Sequence, residues 1–256
     1  MDKNTKRVVI VGSKPNADIP DGDALYCANG AIGYYAESVK RFRRTVSVLN
    51  PDLIHPKKRR DGASRKDFYQ RQWEAIVNSR PDKMILTRTT SISLLTGILK
   101  EAGFSVPVSG ISAYERRMLV GRISGCYDPI LTGDFFRLPV DLKVRYAGSL
   151  ASTYLKRIIN KRKDCGSTFR PSTGVLSVVC AIDEYGHDAE YIISGIGVEN
   201  RGDYCDGKNM RQRDLRPHVF ADIKILRHLA RRYSMYTTEP ELMKIIAPLE
   251  GNGRFG

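Results

Sequence analysis

The apolar positions of this chain fall in short runs separated by polar loops. Arg7-Val8-Val9-Ile10-Val11-Gly12 is a β-branched run ending in glycine, the pattern of a strand buried on both faces of a parallel sheet. Ala24 to Gly30 and Thr45 to Pro51 repeat it, and Asn50 closes the third run because a residue before proline avoids the helical region. Lys83 to Thr87, Glu190 to Gly195 and Ser234 to Tyr236 complete the predicted strands. Arg65 to Ser79, Ser91 to Ala102, Ser149 to Lys163, Thr173 to Tyr185, Phe220 to Tyr233 and Pro240 to Ile246 read as helices, two of them ended by Gly103 and Gly186. Residues 104–145 mix glycine, proline and aromatics without a clear period. Gly197 to Leu215 reads as one polar loop, and loops of that length in compact domains usually carry function.

Strands alternating with helices predict an α/β fold, a Rossmann-like, doubly wound and mostly parallel sheet with helices on both faces. Such sheets bind ligands in the crevice outside the carboxyl ends of their strands. The polar ends of the apolar runs are therefore the first candidates: Gly12, Ser13 and Lys14; Asn29 and Gly30; Asn50; Ser194 and Gly195. Small residues let backbone N–H groups approach a phosphate, and asparagine both donates and accepts hydrogen bonds. The same residue types also serve as ordinary turns after strands. Neither GxxxxGK[ST] nor GxGxxG is present, which disfavours a P-loop ATPase or a dinucleotide-dependent dehydrogenase.

Composition narrows the classes. Hydrophobic residues make up 41% of the 256 positions and charged residues 27%, average values that exclude a mainly disordered chain, a collagen or a coiled coil. No stretch approaches the roughly 20 apolar residues of a membrane span, and no signal-peptide pattern opens the chain. Five cysteines lacking a CxxC pair point to reduced thiols and a cytoplasmic setting. The four histidines form no zinc pattern with them, so no metal is expected. Lys+Arg total 42 against 28 Asp+Glu, a net charge of +14. The excess gathers in Lys40 to Arg44, Lys57 to Arg60, Lys156 to Lys163 and Arg227 to Arg232. Such clusters suit nucleic acid, an anionic membrane surface or a phosphorylated substrate, and also serve as solvated faces.

Two later segments bear on chemistry. Phe169-Arg170-Pro171-Ser172-Thr173-Gly174-Val175 leads into an apolar helix that Ser172 or Thr173 would cap. A helix N-terminus attracts a carboxylate or phosphate, and Arg170 adds a planar donor fork. In Pro217-His218-Val219-Phe220-Ala221-Asp222, His218 falls where the long loop is expected to meet a helix. Imidazole, with an unperturbed pKa of about 6.5, takes a proton near neutrality. Asp222 stands one helical turn later, placed to orient His218 or to lie on the helix surface.

With these residues in view, the chain resembles the bacterial sialyltransferases of glycosyltransferase family forty-two and, more distantly, other CMP-sugar transferases. Val8 to Asn16 is similar to the family's opening strand and its glycine-containing loop. Cys27-Ala28-Asn29 resembles its cysteine-asparagine strand end, and Leu49-Asn50-Pro51 its asparagine-proline. Arg170 to Val175 resembles its Arg-x-Thr/Ser-Ser/Thr-Gly-Val motif, Ile192 to Ile196 its strand ending in Ser-Gly-Ile, and Pro217-His218 with Asp222-Ile223-Lys224 its catalytic-histidine segment. The likeness covers about 1–55 and 165–247 and leaves the middle unmatched.

The resemblance implies one GT-A-like domain over residues 1–256 with a small lid at 197–217. It implies metal-independent transfer of a 2-keto acid sugar, sialic acid or Kdo-type, from a CMP donor that is substrate rather than cofactor. On this likeness His218 is the general base. Gly12, Ser13, Asn29 and Asn50 contact CMP, Ser172, Thr173 and Gly174 hold the donor's carboxylate or phosphate beside Arg170, and Tyr204 hydrogen-bonds the leaving phosphate. Glu199 replaces a second lid tyrosine and Gly30 a glutamine, which leaves the donor sugar open between sialic acid and Kdo, and a retaining Kdo transfer open beside an inverting one. Expected partners are a glycan or lipooligosaccharide acceptor and, peripherally, the inner face of the cytoplasmic membrane, with room for a homo-oligomer. The alternative is a basic nucleic-acid-binding module, for which no recognised signature is present.

Overall fold

In the computed structural model the described residues are 5–14, 16–51, 66–127, 171–198 and 212–249, with isolated positions between 136 and 151. Eight strands are β1 Lys6–Val11, β2 Ala24–Ala28, β3 Arg44–Leu49, β4 Lys83–Leu86, β5 Val108–Gly110, β6 Ala189–Ser194, β7 Met235–Thr237 and β8 Ala247–Pro248. Among the helices are α1 Ala31–Tyr34, α2 Ala36–Val39, α3 Lys66–Ser79, α4 Ile92–Glu101, α5 Ala113–Ser124, α6 Thr173–Tyr185 and α7 Gln212–Ala230.

The strands form one sheet in the order β5-β4-β3-β2-β1-β6-β7-β8, and each neighbouring pair is parallel. β1 lies at the centre because it is apolar on both faces: Val8, Val9, Ile10 and Val11 are all fully buried. Val8 and Ile10 pack with Val175 and Val179 of α6 and with Ala221 and Ile225 of α7. Val9 and Val11 pack on the other face with Ile32 of α1, Ile76 of α3, and Leu95 and Leu99 of α4. Each such side chain contributes roughly 2 kcal/mol of burial. The Rossmann-like α/β class expected from the alternation is the fold observed.

The chain runs outward from β1 to β5, then returns across the centre to place β6 on the other side of β1. This reversal makes the carboxyl ends of β1 and β6 the switch point of the sheet, where open α/β folds leave a crevice.

Three expectations need correction. The helix expected from Phe220 begins at Gln212, so Pro217 and His218 lie inside α7 rather than at its junction with a loop. Proline lacks the N–H that helical bonding needs and so marks a start in sequence, but this helix runs through it. The helix expected over Pro240 to Ile246 is a single 3₁₀ turn, Pro240–Leu242, followed by edge strand β8. The Leu242 and Ile246 spacing looks helical, yet both side chains are buried by a turn in which the Leu242 carbonyl accepts from Ile245 and Ile246. Finally, 104–145 hides β5 and α5. Ser112 and Glu115 form a reciprocal capping box at the start of α5, and Gly125 (φ 71°) ends it, signals present in the sequence. The basic helix expected from Ser149 to Lys163 lies outside the described residues apart from isolated positions.

Candidate functional site

The two strand ends at the switch point touch through glycine. Gly12 donates its N–H to the Ser194 carbonyl at 2.9 Å, and Lys14 donates its own to the Gly195 carbonyl at 3.0 Å. A Cβ on Gly12 would stand 2.1 Å from the Gly195 carbonyl oxygen, so no other residue fits there. Gly195 holds φ 63°, a left-handed conformation suited to glycine. Its N–H donates to Glu239 Oε1 at 2.6 Å, while Glu239 Oε2 meets the Lys14 ammonium at 2.6 Å. Glu241 adds a second carboxylate 3.3 Å from Lys14. Burial pulls the Lys14 pKa down, but the hydrogen bond and charge of Glu239, with Glu241 behind it, outweigh that and leave it raised.

Neighbouring strand ends are arranged in the same way. The Ser194 hydroxyl donates to the Asp18 carbonyl and accepts from Thr238 Oγ1. The Tyr35 hydroxyl donates to the Lys14 carbonyl at 2.6 Å and accepts from the Ala17 N–H at 3.0 Å, which holds the loop after β1. Asn29, at φ 52°, accepts the Asn50 N–H on its side-chain oxygen at 2.9 Å and so joins the ends of β2 and β3. Gly30 caps α1 and accepts from the Gly33 N–H.

Ser172 is the N-cap of α6, accepting the Val175 N–H on its hydroxyl at 3.3 Å. Its own N–H donates to Asp222 Oδ1 at 2.8 Å. The N–H groups of Thr173 and Gly174, at the first two helical positions, have no partner among the described residues. Gly174 packs close to Ile196, just past the end of β6; a Cβ there would come within 3.3 Å of Ile196 Cγ1. The α6 N-terminus therefore opens at the same edge of the sheet as Gly12 and Gly195.

Asp222 neither orients His218 nor lies on the surface, as the sequence suggested. It is 2% exposed and turned to the α6 cap. Burial pushes its carboxyl up to about 7, against the two hydrogen bonds from Ser172 that pull it down. His218 is half-buried on α7, one turn before Asp222.

Arg170 and Tyr204 lie outside the described residues. So does the expected lid from 199 to 211, whereas 212–217 belong to α7. Gly12, Ser13, Lys14, Asn29, Gly30, Asn50, Ser172, Thr173, Gly174, Ser194, Gly195 and the His218 segment are all brought to the carboxyl edge of one sheet. Sequence reasoning missed Glu239, Glu241 and Tyr35, which hold this edge; Glu239-Pro240-Glu241 at the end of a short strand was their only signal. Arg41 and Arg44 of the first basic cluster pair with Asp21 and Glu184. Among the described residues no cluster of three or more His, Cys, Asp or Glu is placed to hold a metal, and no helix is long and apolar enough to cross a membrane. No protein-family model, curated protein or solved structure compared with this chain matches it.

Proposed function

We propose that the chain is a glycosyltransferase that moves a 2-keto acid sugar, sialic acid or Kdo-type, from a CMP-activated donor to a glycan or lipooligosaccharide acceptor. The observation that carries the reading is the Asp222–Ser172 hydrogen bond. It ties the two chemistry-bearing segments, 50 residues apart, into one unit beside the switch point. The α6 N–H groups of Thr173 and Gly174 suit the donor's carboxylate or phosphate. His218, one turn from Asp222, is the base that takes the acceptor hydroxyl proton as that oxygen attacks the anomeric carbon and the bond to CMP breaks. Charge grows on the departing phosphate, and fixed N–H donors stabilise it better than in the ground state. The net charge of +14 suits an anionic acceptor presented at the inner face of the cytoplasmic membrane.

The test is incubation with CMP-Neu5Ac and, separately, CMP-Kdo, reading CMP release with and without lipooligosaccharide. Release from either donor supports the reading. Absence of CMP release and CMP binding, together with a salt-dependent shift of RNA or DNA, replaces it with the basic nucleic-acid module. CMP binding without turnover makes the chain a sugar-nucleotide binder.

A further inference from the structure

Two carboxylates are buried among the described residues, Glu239 and Asp222. Glu239 has the Lys14 ammonium as counter-charge. Asp222 has no such cation among the described residues; there the N–H and hydroxyl of Ser172 act on it. We propose that Asp222 is a positioning residue that pins the α6 cap to the helix bearing His218, and that an anion arriving at the cap is matched by one solvent proton taken up on the Asp222 carboxyl. This rests on the reading of the edge as a CMP-sugar site.

Asp222 occupies the N–H of Ser172, and the next two N–H groups of the same helix end, on Thr173 and Gly174, face the incoming anion. An ionised Asp222 and a phosphate would then compete for one positive helix end in a region with little water. Adding a proton to Asp222 removes the repulsion and keeps the Ser172 N–H bond, because a carboxylic acid still accepts through its carbonyl oxygen. Burial already brings this carboxyl to about 7, so the proton is gained near neutrality. His218 and Lys224 stand on α7, Asp183 and Glu184 at the far end of α6, and Arg116 and Arg122 on α5, while the shift at Asp222 comes from burial, opposed by the hydrogen bonds of Ser172. The Asn variant mimics the neutral acid.

The experiment titrates CMP into the full chain from pH 7 to 9, in buffers of different ionisation heat, for the wild type and Asp222→Asn. The CMP phosphate, with a second pKa near 6, is already doubly charged there. The wild type is expected to take up protons on binding, with affinity falling by up to about tenfold per pH unit, whereas D222N binds without proton uptake and with flat affinity. Equal proton counts and equal pH dependence overturn the proposal.

Denaturation from pH 4 to 8 forms a second arm, independent of ligand. A raised folded pKa means the folded state keeps a proton the unfolded state has released. The wild type should therefore lose stability relative to D222N as pH rises from about 4 to 7, then run parallel to it. Parallel curves throughout overturn the role. No CMP binding to the wild type overturns the transferase reading, and the stability curves then decide Asp222 alone. With active enzyme, Asp222→Ala is expected to lower kcat at least tenfold while D222N stays within threefold; equal loss in both also overturns it.

Discussion

Lys14 and Glu239 stand 225 residues apart in the chain, yet their charged groups meet at 2.6 Å over the carboxyl edge of the sheet. The second oxygen of Glu239 takes the Gly195 N–H, and the Glu239 N–H donates to Thr237 Oγ1. One buried carboxylate thus ties the ends of β1, β6 and β7, the strands around the switch point.

Replacing Glu239 tests the tie. Glu239→Ala leaves the Gly195 N–H without its acceptor and the Lys14 ammonium without its closer carboxylate, with Glu241 still beside it, and should cost about 3 kcal/mol in urea denaturation. Glu239→Gln keeps an acceptor for Gly195 and should cost about 1 kcal/mol. Equal stability of the alanine variant and the parent would show that the contact contributes nothing.

Two glycines should respond in opposite directions. Gly12→Ala drives a methyl into the Gly195 carbonyl, against backbone that has nowhere to move, and should cost more than about 3 kcal/mol or prevent soluble folding. Gly97, exposed in α4, has open space where its Cβ would be. Gly97→Ala should raise stability by about 1 kcal/mol, since alanine favours a helix interior. A melting temperature unchanged by both substitutions would contradict the packing described.

The central strands were legible because β1, β2 and β3 are apolar on both faces, which leaves a helix no polar side to expose. Thr173 to Tyr185 was legible to the residue because a serine cap, an apolar body and Gly186 agree. The start of α7 was not, because Pro217 carries a local signal that the helix overrides. β5 and β8 are too short to show a period; each is placed by pairing with the strand before it, β4 or β7. The strand-end residues of the candidate site were visible as glycine and asparagine after apolar runs. Their partners Glu239 and Tyr35 were not, since nothing local links them to Gly195 or to the loop after β1.

Thiol chemistry checks the core. Cys27, Cys126 and Cys180 are buried, and burial, with the nearby Asp183 charge adding to it, pushes Cys180 up to about 12. The reactive thiolate is therefore scarce at neutral pH. All three should resist a thiol reagent at pH 8 until the chain is denatured, as read by mass spectrometry of their peptides. Prompt labelling of Cys180 in the native protein would contradict its burial.

His218 can be tested by reading stability and turnover in one variant. Its side chain is half-buried on α7, and the fully buried side chains of this helix include Ala221, Asp222, Ile225, Leu226 and Leu229. His218→Ala should therefore shift stability by less than about 1 kcal/mol and leave the Asp222–Ser172 bond in place. If His218 takes the acceptor proton, the same variant should lose about 10²–10⁴-fold in CMP release stimulated by acceptor, with CMP affinity within threefold of the parent. That split separates a base from a structural residue: a structural loss would lower stability and CMP affinity together. Near-normal turnover in His218→Ala would remove the imidazole from the mechanism.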